Sequence, residues 1–268
     1  MATWFYDVKE FGAAGDGKAN DTAAVQQAID ACSKAGGGTV VFPAGVFQTG
    51  TVHLKSNVTV HLSAGATWKG YPDASLYEAI QSPVPSRMDL QPWKAFIFAL
   101  DAENITIGGA GTIWPNGEHE EFQLGKGNDP ARPYGIHMIR CRNVTIRDVS
   151  LTNSALWMVR LFDCEAVRVS GITIWNHCNL NNDGVDIDGC RNVRVSDCFI
   201  DSSDDALCLK SEGEPVCEDI VVTNCILSSH ASAFKLGTGS IGGFRRVTAT
   251  GCVVRPSTSD EMIHPLEA

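Results

Sequence analysis

The chain has 268 residues, of which 44% are hydrophobic, so it can bury a substantial core as one large domain or two small ones. Its formal charge of −10 disfavours nucleic acid as a partner. No apolar run approaches the ~20 residues that span a bilayer, so we expect neither a nucleic acid nor a membrane as partner. The start lacks the basic and hydrophobic regions of a secretion signal. The chain is therefore expected to be cytoplasmic as it stands, or secreted if a leader has been removed.

The first predicted elements are a loop and an amphipathic helix, which form an N-terminal cap at about residues 7–38, and then a strand. Asp21 or Thr22 can cap the helix, and three glycines at 36–38 end it. The apolar face of this helix consists of Ala24, Val25, Ala28, Ile29 and Cys32.

From Thr39 onward, apolar residues alternate with period two in short bursts that Gly, Asn, Asp and Ser separate. A four-residue burst of the type Asn-Val-Thr-Val recurs, starting at residues 57, 104, 143, 166, 192, 219 and 246. From 143 onward the steps are 23, 26, 27 and 27 residues, a solenoid period with no helix in the repeat.

This periodicity predicts an all-β fold, a right-handed parallel β-helix, with the right hand expected from the chirality of parallel crossovers. Its coils should cover about residues 39–256 of a single domain spanning 1–268. The open end of such a stack is a sheet edge that needs cover, and the N-terminal α-helix is the candidate cap.

The ten cysteines contain no Cys-x-x-Cys pair, so the spacing typical of zinc sites is absent. Cysteines recur instead at the coil period, at 141, 164, 190 and 217 and again at 198, 225 and 252. This recurrence predicts stacked rows of buried thiols rather than disulfides. We expect no metal and no cofactor.

Two longer gaps interrupt the repeat, at 57–104 and at 104–143. They are rich in Pro, Trp and Tyr, and insertions in solenoids often form the wall of a binding site. Their aromatic residues could stack on sugar rings or could anchor the loops in the core.

Three carboxylates stand out in the stretch 181–210: Asp183 and the adjacent pair Asp204 and Asp205. A step of 21 residues brings them onto neighbouring parallel strands, about 4.8 Å apart. Close carboxylates repel, so at least one pKa should rise, which suits acid and base roles in one site. Four nearby aspartates are interpreted as turn residues, namely Asp186, Asp188, Asp197 and Asp201.

The segment FGAAGDGKANDTAAVQQAID resembles the N-terminal module of the pectate-lyase-like β-helix superfamily. NNDGVDIDGC, SSDDALCLKS and SSHASAFKLGTGS resemble the central motifs of glycoside hydrolase family 28, which includes polygalacturonases and rhamnogalacturonan hydrolases. The resemblance runs from about residue 7 to about residue 252. It implies an inverting hydrolase of a pectin-type polysaccharide or oligosaccharide, with Asp204 as general acid and Asp183 and Asp205 activating water. Inverting enzymes usually separate their carboxyl groups by ~6.5–9.5 Å.

The chain departs from the family pattern at two places. Ser232 stands where polygalacturonases of the family have His, with His230 two residues away. The family's Arg-x-Lys strand, which binds the substrate carboxylate, is not matched in this chain. This implies that the last coils and the C-terminal cap are missing. Arg245 could take the place of the basic residues of that strand. Candidate substrate-binding residues are therefore Lys210, Lys235, His230, Ser232, Asn181 and Arg245.

Two other functions remain open from the residues alone. A non-catalytic carbohydrate-binding β-helix would use the same groove without cleavage. A polysaccharide lyase or epimerase would use the carboxylates to hold Ca²⁺ and a Lys or Arg as base. The sequence does not predict an oligomeric state.

Overall fold

The computed structural model describes residues 4–123 and 131–260. Each coil contributes up to three strands, and hydrogen bonds between successive coils join these strands into three parallel sheets. The predicted right-handed parallel β-helix is confirmed. Within the described ranges no helix is long and apolar enough to cross a membrane.

The first sheet contains the predicted four-residue bursts. The opening residue of each of the seven bursts has a positive φ, between 54° and 65°. Five of these seven residues are Asn or Asp. Asn and Asp enter this left-handed region at the least cost among non-glycine residues, so the burst also encodes the corner of the coil. The strands of the first sheet are Phe5–Asp7, Gly38–Phe42, Val58–Leu62, Glu103–Gly109, Arg142–Arg147, Glu165–Ser170, Arg191–Ser196, Cys217–Thr223 and Phe244–Thr250.

The second and third sheets follow in the same order around each coil. The strands of the second sheet are Asp16–Asn20, Gly45–Thr49, Ala66–Gly70, Thr112–Trp114, Ser150–Thr152, Thr173–Asn176, Phe199–Ser202, Ile226–Ser229 and Val253–Pro256. Those of the third sheet are Val52–His53, Trp93–Leu100, Tyr134–Ile139, Val159–Phe162, Val185–Asp188, Leu207–Ser211 and Phe234–Ser240; Ala79–Ile80 pairs antiparallel with Trp93–Leu100. Three 3₁₀ segments complete the described elements: Val8–Phe11, Ala74–Leu76 and Glu120–Phe122.

The helix Thr22–Lys34 occupies the place of a third-sheet strand in the first coil and covers the end of the stack with its buried apolar face. Asp21 stands at the N-cap position, but its carboxylate accepts hydrogen bonds from the backbone N–H groups of Ala14 and Gly15 rather than from the helix. Because Phe5–Asp7 and Asp16–Asn20 already pair with the next coil, the stack begins before the predicted boundary at residue 39.

The interior is filled by stacked columns of aliphatic side chains and cysteines. All ten cysteines are free thiols, as predicted. In one column the backbone N–H of Cys141 donates to Sγ of Cys164 at 3.4 Å, and the N–H of Cys164 donates to Sγ of Cys190 at 3.3 Å. The thiols therefore accept hydrogen bonds from buried backbone groups as well as filling space.

A second, smaller core lies on the outer face of the third sheet. The first insertion folds over that face, and Val84 and Trp93 from the insertion side pack in a cluster with Tyr134, Trp157 and others. Trp93 and Tyr134, two aromatic residues of the insertions, are buried in this cluster and thus anchor the cover. Residues 124–130 of the second insertion lie outside the described part of the chain. The cover leaves the strand Tyr134–Ile139 of the third sheet buried on both faces.

Candidate active site

The corner between the second and third sheets brings Asp183 and Asp205 into one column. The carbonyl of Asp183 accepts from Met158 N at 3.0 Å, that of Asp205 from Gly184 N at 2.8 Å, and that of Ser232 from Ala206 N at 2.9 Å. Asp183, Asp205 and Ser232 therefore occupy the same position in three successive coils. Asp205, not Asp204, is the in-register neighbour of Asp183.

Asp204 lies beside this column and completes the predicted trio. One oxygen from each of Asp183, Asp204 and Asp205 lies within 4.8 Å of the others. This spacing is shorter than the ~6.5–9.5 Å that is usual between the carboxyl groups of an inverting enzyme. The trio converges as the sequence predicted, but more tightly.

The Asp204 carboxylate is oriented from two sides. The backbone N–H of Asp205 donates to its Oδ1 at 2.9 Å, and Nδ2 of Asn181 lies 3.5 Å from its Oδ2. Oδ1 of Asn181 accepts from the buried guanidinium of Arg132 at 3.1 Å. Asn181 therefore lies in the cluster, held by an arginine of the second insertion that no motif distinguishes in the sequence.

Two lysines face the carboxylates. Nζ of Lys235 lies 2.7 Å from Oδ2 of Asp205, and Nζ of Lys210 lies 3.7 Å from Oδ2 of Asp183. Burial alone would lower the pKa of Lys235, but the hydrogen bond to Asp205 and the charge of its carboxylate raise it above its ordinary value. Burial, and next the charge of Asp186, raises the pKa of Asp183 well above its ordinary value. The predicted repulsion between carboxylates is thus present.

Asp186, Asp188 and Asp201 are not turn residues, and that part of the sequence interpretation is wrong. All three lie in strands and are fully buried. Asp188 pairs with Arg160 at 3.0 Å, and Asp201 pairs with His177 at the same distance. Other segments of the chain cover the outward faces of these strands. Aspartates at outward positions can therefore be buried and paired with a cationic side chain instead of being exposed to solvent.

Asp197 does occupy the predicted kind of corner. It is exposed and has a φ of 58°, in the left-handed region that Asp and Asn tolerate.

Two of the candidate binding residues contact other partners. Nε2 of His230 pairs with the carbonyl of Ser259 at 3.0 Å, and its ring packs against His177. Arg245 is in the first sheet and forms an ion pair with Glu218. It continues an outer column of alternating charge, formed by Glu103, Arg142, Glu165, Arg191, Glu218 and Arg245.

The three carboxylates could in principle surround a cation. However, Lys235 already pairs with Asp205 and Lys210 with Asp183, so two protein cations neutralise part of the charge that a metal would need. We therefore assign no metal to the trio.

The family model for glycosyl hydrolases family 28 matches residues 32–259 of the chain. The chain belongs to this family. A probable polygalacturonase of Vitis vinifera is 30% identical over an alignment of 274 residues, gaps included. The alignment covers 93% of this chain and 55% of that protein. A hyperthermoactive exopolygalacturonase of Thermotoga maritima superimposes with a TM-score of 0.82 at 26% identity, over 94% of this chain and 68% of that chain.

A different group of proteins matches a shorter segment. Alginate lyase 7 of Azotobacter vinelandii is 51% identical over 63 residues, which is 20% of this chain and 7% of that protein. The chain spans about half the length of the curated polygalacturonases that it matches in family 28.

Proposed function

We propose that the chain hydrolyses galacturonan or a related pectin-type glycan. The observation that carries this proposal is the convergence of Asp183, Asp204 and Asp205 at one corner of the solenoid, with Lys210 and Lys235 against them. A uronate substrate brings its own negative charge, and partly exposed Lys235 offers a cation at the rim of the cluster. Membership of family 28 and likeness to polygalacturonases support the same reaction.

In this mechanism Asp204 donates its proton to the glycosidic oxygen as the bond to the leaving sugar breaks. Asp183 and Asp205 accept a proton from a water molecule that attacks the anomeric carbon. Asp204 is the least buried of the trio, which suits contact with the leaving group. Asp205 forms an ion pair with Lys235, and a carboxylate held by a cation suits a base.

Inversion rests on the family resemblance, whereas the short carboxylate spacing by itself resembles that of retaining enzymes. The anomer of the first product decides between them. Proton NMR of a digest in its first minutes should show the inverted anomer before mutarotation; the retained anomer would overturn this part of the proposal.

We further infer that cleavage occurs near a chain end. On the N-terminal side of the trio the column continues with Trp157, 5% exposed, and then Tyr134, fully buried under the first insertion. In this proposal these two buried aromatic side chains would stop a bound sugar chain about one coil from Asp183. Likeness to an exopolygalacturonase supports this mode. Early digests should contain one short product and leave the viscosity of polygalacturonate almost unchanged.

Reducing-end release from polygalacturonate and rhamnogalacturonan tests the reaction itself. Asp204→Asn should lower kcat by orders of magnitude with little change in binding. Asp197→Asn is the matched control, because it makes the same substitution at an exposed corner that Asn tolerates, and it should retain full activity. Binding without release in the wild type would instead support a carbohydrate-binding β-helix.

A lyase or epimerase is the second candidate, favoured by the short match to alginate lyase 7. Lys210 or Lys235 would then act as base. An unsaturated product that absorbs in the ultraviolet and forms only with Ca²⁺ would identify the lyase and overturn hydrolysis.

A further inference from the structure

Asp186 is a fully buried carboxyl group behind the trio that the proposed mechanism does not use. Nζ of Lys210 lies 3.2 Å from Oδ1 of Asp186 and 3.7 Å from Oδ2 of Asp183. Apart from the Lys210 ammonium, neither oxygen of Asp186 has a hydrogen-bond partner among the described residues, and neither does Oδ1 of Asp183. One ammonium group thus stands between two buried carboxyl groups.

The other cations near this pair are engaged elsewhere. Arg160 is the in-register neighbour of Asp186 on the preceding coil, but its guanidinium binds Asp89 at 2.7 Å and Asp188 at 3.0 Å. Lys235, two coils after Asp186, pairs with Asp205. If Asp183 and Asp186 were both ionised, one buried negative charge would have no cation, which is costly in a low-dielectric interior.

We propose that Asp186 is a positioning residue that shares one proton with Asp183 across Lys210. When the proton is on Asp186, Lys210 neutralises Asp183, and Asp183 is free to accept a proton from water. The proposal extends the proposed function, since it gives Asp183 its ionised form without requiring two buried charges. It also gives Lys210 a role inside the site rather than on the substrate.

The groups that face Asp186 agree with this assignment. Burial, with a smaller contribution from the charge of Asp205, outweighs the opposing effects of Lys210 and Arg160 and raises the pKa of Asp186 to about 7. Two further titratable neighbours have high pKa values. Burial keeps the Tyr134 hydroxyl and the Cys208 thiol protonated near neutral pH. Their neutral forms add no charge that would compensate a second carboxylate.

Infrared titration of protein carrying ¹³C-labelled aspartate tests the shared proton without any substrate. The wild type should show a protonated aspartic acid carbonyl band at pH 5.5 that disappears as the pH rises through about 7. Asp186→Asn should abolish the part of this band that titrates near pH 7, whereas the contribution of Asp204, the proposed general acid, should remain. Asp201→Asn is the matched control, because it removes an equally buried aspartate that pairs with His177 instead, and the band should remain.

Lys210→Met provides a second variant in case Asp186→Asn does not fold. Without the ammonium, both carboxyl groups should be protonated at pH 7, so the band should grow and titrate at higher pH. A wild type with no component that titrates between pH 5 and 8, a component near pH 7 that persists in Asp186→Asn, or no change in Lys210→Met would overturn the proposal.

Kinetics separates this inference from the proposed function. If the chain is a hydrolase, the ionisation near pH 7 should vanish from the kcat profile of Asp186→Asn, with KM changed less than kcat, and should persist in Asp201→Asn. If no hydrolysis is found, the infrared result still decides whether the proton is shared.

Discussion

Nζ of Lys235 lies 2.7 Å from Oδ2 of Asp205, although 30 residues and one full coil separate the two along the chain. The Asp205 side chain is 2% exposed and that of Lys235 is 33% exposed, so the lysine is the group through which solvent and substrate reach the pair. In the next coil after Asp205, the in-register residue is Ser232, which cannot carry a charge. Lys235 therefore supplies the positive charge on that side of the trio.

The first prediction concerns Lys235→Met. Removing the ammonium leaves the Asp205 carboxylate buried without its cation, and because Asp205 is a proposed water-activating group, kcat should fall. We expect a stability loss of about 1–3 kcal/mol in urea unfolding, less than for a fully buried pair because Lys235 is partly hydrated. Lys235→Arg keeps the positive charge, so it should restore most of kcat and most of the stability. An unchanged kcat in Lys235→Met would show that this ion pair does not support the proposed reaction.

The second prediction concerns the attachment of the first insertion. Arg160 joins Asp89 of the insertion to Asp188 of the third sheet, and all three side chains are at most 1% exposed. Arg160→Met should leave two buried carboxylates without a cation and cost about 3–5 kcal/mol in urea unfolding.

Arg142→Met is the control for this loss. Arg142 forms an ion pair with Glu103 on the surface of the first sheet, and its side chain is 66% exposed. Removing such a pair should cost about 0.2–1 kcal/mol. Equal losses in Arg142→Met and Arg160→Met would mean that the buried pairs do not hold the insertion in place.

The third prediction is a pH dependence of stability. Burial raises the pKa of Asp186 to about 7, so the folded chain binds this proton more tightly than the unfolded chain does. The contribution of Asp186 to stability is therefore fully present below its ordinary pKa of about 3.9 and is lost as the pH rises to about 7. The unfolding free energy should fall by about 2–4 kcal/mol over this interval, and Asp186→Asn should flatten it.

Asp201 should show the opposite sign. Burial alone would raise its pKa, but hydrogen bonds from Thr258 and Ser257 and the charge of His177 bring the pKa below its ordinary value. Its contribution is therefore present above about pH 3.9 and lost as the pH falls further. Asp201→Asn should remove part of the acid destabilisation. Urea unfolding of the wild type and both variants between pH 3 and pH 8 checks this prediction. The difference in unfolding free energy between the wild type and each variant should change with pH in opposite directions for Asp186→Asn and Asp201→Asn, and changes in the same direction would contradict the assignment.

The fold was predictable because its code is local and repeated. Seven of the nine described first-sheet strands carry the same burst, and an Asn or Asp suited to a positive φ starts five of them, so the period could be read directly. The third sheet has no such signal. Its strand Val185–Asp188 is buried on both faces, and the alternation of apolar and polar residues no longer separates core from solvent.

The candidate site was predictable only as far as its motif. Asp183, Asp204 and Asp205 follow from spacing and resemblance, and Lys210 and Lys235 from their places on adjacent rungs. Asp186 resembled a turn residue because its cover comes from distant segments, and Arg132 lies in an insertion without a repeat. Contacts between positions far apart in sequence, such as Asp89 with Arg160, leave no periodic trace.

The fourth prediction concerns the thiol column. Sγ of Cys190 accepts a hydrogen bond from the buried N–H of Cys164, so Cys190→Ala removes a partner as well as volume. We expect a loss of about 1–3 kcal/mol from the unpaired N–H in addition to the packing loss. Cys32→Ala is the control, since Cys32 packs in the core between the helix and the stack. Urea unfolding under reducing conditions should show the larger loss for Cys190→Ala; an equal loss in both would mean that the thiols act only as filling side chains.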